Sequence, residues 1–190
     1  MSALLQSTWS CSATRRVLAS VLLASASALV QPLVAQRPLA PEAKDPAAAA
    51  VLAIVDSALV VINRGDRNAL SDLMLPEAQV FAARDQDGGG VYTTRTAAEQ
   101  RAAGRRAPII ERGFDPQVRI AGTIAMVWLP YDLYAEGRWL HCGVDLFTMV
   151  RVGSVWRIAN FTYTIEQPPA CAEHPDGVPP GMVPRTRTPD

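Results

Sequence analysis

Asp132 and His141 stand four residues to either side of a Glu136-Gly137 corner. In an antiparallel hairpin that spacing sets a carboxylate opposite an imidazole, the makings of an acid–base pair. Burial would lift the carboxyl toward neutrality while the adjacent carboxylate favours imidazolium, so a proton could pass between them near neutral pH. Asp145 and Asn160, read as opposed across the next corner, could polarise a carbonyl or hold a hydroxyl, and Tyr92 or Tyr131 could donate to an enolate. The candidate site is therefore Asp132 and His141 as catalytic groups, with Trp128, Asp145, Asn160, Tyr92 and Thr162 as ligand-binding groups. Two blander readings use the same residues: the groups only orient a ligand, or Asp132–His141 is a rim pair and Asp145–Asn160 satisfy each other in a core.

Those residues sit on three apolar, β-branched and aromatic runs, Gly122 to Ala135, Arg138 to Val152 and Val155 to Glu166. Such runs, broken by short polar turns, predict a meander of two hairpins. Corners at Glu136-Gly137 and Val152-Gly153 pair Asp132 with His141, Trp128 with Asp145, and Asp145 with Asn160. Period-two alternation then gathers Met126, Trp128, Asp132, His141, Asp145, Phe147, Ile158, Asn160 and Thr162 on one face. Large apolar groups with a few polar ones are the usual lining of a small-molecule pocket, here for an apolar or aromatic ligand. The other face also reads as apolar and wants a cover, which predicts a homodimer packed sheet to sheet.

Upstream, Asp45-Pro46 opens a helix as N-cap and first-turn proline. Val51, Ile54, Val55, Ala58, Leu59 and Ile62 recur at helical spacing, and Gly65 ends the run. Asp66 caps a second helix stopped by Pro76, and Glu77 to Arg84 alternates as a strand. Asp85 to Gly90 turns the chain into Val91 to Thr94, and Thr96 with Glu99 has the spacing of a capping box for a third helix to about Gly104. Ile109 to Ile120 is a strand bent near Gly113 to Pro116. The order is α+β, with a curved antiparallel sheet wrapped on the long first helix.

With that order, A-x-V-W-x-P-Y-D at Ala125 to Asp132, H-C-G-V-D-L-F at His141 to Phe147 and W-R-I-A-N-F-T-Y-T at Trp156 to Thr164 resemble the SnoaL-like branch of the nuclear-transport-factor-2-like superfamily. The resemblance covers residues 46 to 166. It implies a cone-shaped fold, a common homodimer, and a range from isomerases, cyclases and dehydratases to domains that only bind or assemble. Fold alone does not choose among these.

Composition narrows the classes further. Arg15-Arg16, an uncharged run from Val17 to Val30 and Leu33-Val34-Ala35 read as a signal peptide for residues 1–35, cleaved near Ala35, with export to a periplasm or the exterior. Residues 36–45 read as a linker. Cleavage leaves 16 basic and 18 acidic residues, a net charge of −2, which argues against a nucleic-acid partner. Cys142 and Cys171 then remain as an even pair, either a disulfide closing about 30 residues or two free thiols. His141 and His174 are the only histidines, so no metal set is expected. Gly88-Gly89-Gly90 precedes a strand-like run and not a helix, so no phosphate loop is expected, nor any cofactor. Arg101, Arg105, Arg106 and Arg112 could rim a pocket for an acidic ligand or form a solvated face. Residues 167–190 are proline-rich and read as largely disordered.

Overall fold

The computed structural model describes residues 45–167, 170–172 and 174–183. The predicted signal peptide, and the linker before residue 45, lie outside the described residues. Three helices, α1 (Pro46–Asn63), α2 (Arg67–Asp72) and α3 (Ala97–Ala102), accompany seven strands. These are β1 (Met74–Gln86), β2 (Gly89–Thr96), β3 (Ile110–Gly113), β4 (Gln117–Ala121), β5 (Ile124–Ala135), β6 (Arg138–Val152) and β7 (Val155–Ile165).

α1 forms where the capping chemistry dictates: the Asp45 carboxylate accepts from Ala47 N at 2.8 Å and Pro46 takes the first turn. Val51, Val55, Ala58 and Ile62 make its buried stripe. α3 starts in a full capping box between Thr96 and Glu99.

The strands run β2-β1-β7-β6-β5-β3, with β4 also on β5. The sheet is mixed and not wholly antiparallel, because β1 lies parallel to β7. That pairing loses register between Met74 and Gln79, where Pro76 has no N–H for the ladder. The core lies between α1 and the sheet, around Val127, Phe147, Met149, Ile158 and Phe161, with the Phe147 and Phe161 rings stacked at 4.5 Å.

Both hairpin registers differ from the sequence reading. β5 and β6 start as expected, with Ala135 opposite Arg138 and Tyr134 opposite Trp139, but the next pair is Leu133 with His141. Leu140 is therefore an extra residue, a bulge that moves every later partner by one. Asp132 faces Cys142, and Asp145 faces Leu129. The second corner is Gly153-Ser154, with Val152 opposite Val155, and Ala159 is a second extra residue before Thr148 meets Asn160. Asp145 thus faces Tyr163 and not Asn160.

Part of the proline-rich segment, residues 170–172 and 174–183, is described. Cys142 and Cys171 form a disulfide with Cα atoms 6.0 Å apart. Val183 N donates to Gly137 O at 2.8 Å, and His174 meets the Phe114 ring edge-on at 5.2 Å. Residues 170–172 and 174–183 thereby fold back along the β5–β6 hairpin.

Candidate functional site

The bulges decide which predicted residues share a face. On the helix side, β5 presents Leu129, Tyr131 and Leu133, β6 presents His141, Asp145 and Phe147, and β7 presents Phe161, Tyr163 and Ile165. His141 and Asp145 thus point inward as expected. Trp128, Asp132, Asn160 and Thr162 occupy the opposite face. Trp128 is 42% exposed there, and the Thr162 hydroxyl donates to Asn160 Oδ1 at 2.9 Å. Tyr92, 68% exposed on the outermost strand, packs by Phe81 and reaches no cavity.

Asp132 has a different partner from the one predicted. Arg112, opposite it on β3, donates from Nε to Oδ1 at 2.9 Å, and a second nitrogen contacts Oδ2. The same guanidinium donates to Gly177 O at 2.7 Å and lies over the Tyr134 ring. Asp132 is buried and Arg112 half-buried beside the returning C-terminal segment, so Asp132 is paired with Arg112 and not with His141.

His141 is held instead by Tyr131. The Tyr131 hydroxyl is 2.6 Å from Thr164 O and 3.1 Å from His141 Nδ1. A carbonyl only accepts, so the single phenolic proton goes to Thr164 O, and His141 Nδ1–H donates to the phenol oxygen. Nε2 is left as the acceptor. Burial and the Arg106 charge push the imidazole down to about 4, so it is neutral at neutral pH. Burial, and then Asp145, hold the Tyr131 phenol protonated.

A break in the sheet makes this arrangement possible. Where Val144 would donate to the Thr164 carbonyl, its N–H goes to Thr164 Oγ1 at 3.0 Å. The carbonyl is freed to face Tyr131, and pairing resumes at Cys142 and Glu166. Gly143 sits in the break, where a Cβ would come 2.4 Å from Thr164 O. No larger residue fits without moving β7.

Two buried carboxyls complete the site. Asp145 is 1% exposed and neither of its oxygens has a hydrogen-bond partner among the described residues. Burial and then Glu111 raise its pKa well above the usual carboxylate range, which favours the neutral acid. Glu111, on β3, was not foreseen. Burial pushes it up to about 7 against the pull of Arg106, and its Oε1 is also unpartnered. Asn63 at the end of α1 clamps its backbone, accepting from Glu111 N at 2.6 Å and donating to Glu111 O at 2.9 Å. One signal was available: alternation along Ile109 to Gly113 puts a lone acid on an otherwise apolar inward face.

Glu111 and His141 line a cavity of about 100 Å³ with Gln100, Leu133, Tyr163 and Ile165. That is well below the roughly 300–1,000 Å³ of pockets for drug-sized ligands. The wide aromatic lining expected from Trp128 is absent, and the cavity is small and polar. A larger open groove of about 800 Å³, lined by Ser71, Met74, Arg101 and Arg157 among others, lies elsewhere. Its arginines have partners within it: Arg101 pairs with the Asp72 carboxylate, and Arg157 donates to the Asp72 backbone carbonyl. Glu111 and His141, both displaced from ordinary ionisation, line the small cavity, which makes it the stronger candidate site. Among the described residues, no group of histidine, cysteine or acidic side chains could hold a metal.

No protein-family model and no curated protein sequence matches the chain. Solved structures do resemble it. An NTF2-like protein with a cystatin-like fold from Novosphingobium aromaticivorans is 13% identical over 65% of this chain and 84% of that one, with TM-score 0.50. A protein of unknown function with a cystatin-like fold from Nostoc punctiforme is 5% identical over 64% and 92%, also at 0.50. An NTF2-like protein of unknown function from Silicibacter pomeroyi is 22% identical over 63% and 96%, at 0.45. Sheet order, helix placement and the two likenesses at TM-score 0.50 agree that the chain has the nuclear-transport-factor-2-like fold.

Proposed function

We propose that this chain is a small-molecule-binding protein of the SnoaL-like kind, its ligand seated in the cavity beside Gln100, Glu111 and His141. The observation that carries the reading is a pair of buried oxygens, Gln100 Oε1 and Glu111 Oε1, on residues that line one cavity and lacking any partner among the described residues. Native proteins seldom leave buried polar atoms unpaired, and a ligand's own polar groups would satisfy them. The test is mass spectrometry of small molecules released from the denatured, freshly purified protein. A compound carried by the parent and lost in Gln100→Leu supports the reading; a compound retained at equal occupancy in that variant overturns it.

A second reading, proton transfer on the bound molecule, rests on the ionisation of the same groups. Glu111, raised to about 7, can gain or lose a proton near neutral pH, and neutral His141 offers Nε2 as an acceptor. That is the equipment of an isomerase, cyclase or dehydratase, with Glu111 in the place the sequence had given to Asp132. Turnover of an identified ligand that falls by orders of magnitude in Glu111→Gln would favour the enzyme.

Export is proposed on the charge and hydropathy pattern of residues 1–35, and the Cys142–Cys171 disulfide suits an oxidising compartment. A sheet-to-sheet homodimer is proposed on the outer face, where Met126, Val144 and Leu146 are half-buried around the exposed Trp128. Light scattering that finds only monomer at micromolar concentration would remove it.

A further inference from the structure

Three arginines from three separate segments line the same small cavity: Arg67 opens α2, Arg95 lies on β2, and Arg106 follows α3. The placement of Arg106 has a steric reason. Gly65, at φ 66°, brings its Cα so close to the Arg106 carbonyl that a Cβ would lie 2.2 Å from the oxygen. Arg106 N donates to Gly65 O at 3.0 Å, and the neighbouring Arg105 pairs with Asp66 at 2.8 Å. The chain is thereby pinned so that Arg106 stands over Glu111, His141 and Tyr163, each of which feels its charge. Arg95 faces Val80 across the β1–β2 ladder, on the cavity side.

These cations have no counter-charge of their own. The ion pairs among the described residues occupy Arg101, Arg105, Arg112 and Arg138, but not Arg67, Arg95 or Arg106. Nor do the acids beneath supply a full one, since burial favours the neutral form of Asp145 and holds Glu111 largely protonated below pH 7. Like charges gathered around one opening repel, and Arg67 loses proton affinity through burial and then through Arg95 and Arg106. Below them lies the unpaired Gln100 Oε1, 5% exposed and on the cavity wall. A set of uncompensated guanidinium forks above unsatisfied neutral polar groups is complementary to a molecule charged at one end and polar at the other.

We propose that the cavity selects a small organic acid, with its carboxylate held by Arg67, Arg95 and Arg106 and its uncharged end directed toward Gln100, Glu111 and His141. The volume of about 100 Å³ sets the scale: a short-chain acid, or the acid head of a longer molecule whose remainder stays outside. This inference rests on the small-molecule reading and adds the ligand's charge to it.

Butyrate and its uncharged analogue butyramide are the probes, titrated into the full chain while the His141 ring and arginine Nε–H resonances are followed by NMR. Butyrate is expected to shift both sets of signals and butyramide to bind at least about tenfold more weakly, the loss of one charge-assisted contact. Arg95→Gln with Arg106→Gln should weaken butyrate about tenfold or more and leave butyramide unchanged, whereas the two lysine variants should recover part of the affinity. Both positions are exposed, so the fold should tolerate the changes. Butyramide binding as well as butyrate would overturn the acid selectivity and leave the small-molecule site standing. Butyrate that shifts arginine signals but never His141 would overturn the placement, and silence from both probes at millimolar concentration would count against the inference and the site together.

Discussion

The Tyr131 hydroxyl, 2.6 Å from Thr164 O, leaves His141 Nδ1 at 3.1 Å with no role but donor. A single phenolic proton, committed to a backbone carbonyl, thus selects the tautomer of a ring one strand away. Tyr131→Phe removes that selection. The variant should lose about 1–3 kcal/mol through two polar groups left unpaired. Urea unfolding measures the loss, and the ¹⁵N shifts of His141 should change from one tautomer to a mixture. Unchanged shifts would mean the ring is held by something else.

Glu111 should make stability depend on pH in a particular direction. Its folded-state pKa, about 7, lies above its ordinary value of 4.5, so its contribution is complete below about pH 4.5 and is lost as pH rises to about 7. Asp145 acts in the same direction, whereas His141, lowered to about 4 from 6.5, loses stability as pH falls between those values. Glu111→Gln should therefore gain on the parent above pH 7 by up to ~3 kcal/mol and show little gain near the ordinary carboxylate pKa. Urea unfolding at about pH 5 and about pH 8 compares the two. An equal difference at both would refute the assignment.

Asp132→Asn separates architecture from chemistry. It removes the counter-charge of the partly buried Arg112 and should destabilise the chain by about 1–3 kcal/mol. At a temperature where the variant is folded, butyrate affinity should stay within about twofold of the parent, well under the 1.4 kcal/mol that marks a tenfold change. A large loss of affinity in the folded variant would return Asp132 to the site.

Replacing Cys142 and Cys171 together by serine opens a loop with a sequence separation of 29 and should lower stability by ~3 kcal/mol. Proteolysis beyond residue 167 should accelerate in the variant and in reductant-treated parent alike. Parent protein whose unfolding is indifferent to reductant would contradict the prediction.

The sequence supported most of the element order, because that order is written in local chemistry: the Asp45-Pro46 start, the Thr96–Glu99 box and the turn at Glu136-Gly137 each act within a few residues. The site was half legible for the opposite reason. His141 and Asp145 were placed correctly, since β6 keeps its alternation on the inner face throughout. Asp132 and Trp128 were not, because Leu140 adds one residue ahead of them and turns that part of β5 over relative to β6. Asn160 and Thr162 were lost in the same way behind Ala159. Neither bulge residue is a glycine or proline, so no local signal announced it. Glu111 escaped because its importance comes from the ends of two distant elements, Asn63 and Arg106, meeting it in space.

Two polar groups of the cavity are fixed through main-chain atoms: His141 by Tyr131, itself bonded to the Thr164 carbonyl, and Glu111 by the amide of Asn63 gripping its peptide group. Leu133, Val80 and Ile165 share the wall but make none of those contacts. Substitution at these three positions therefore alters the volume of the chamber while the backbone contacts that fix Glu111 stay in place.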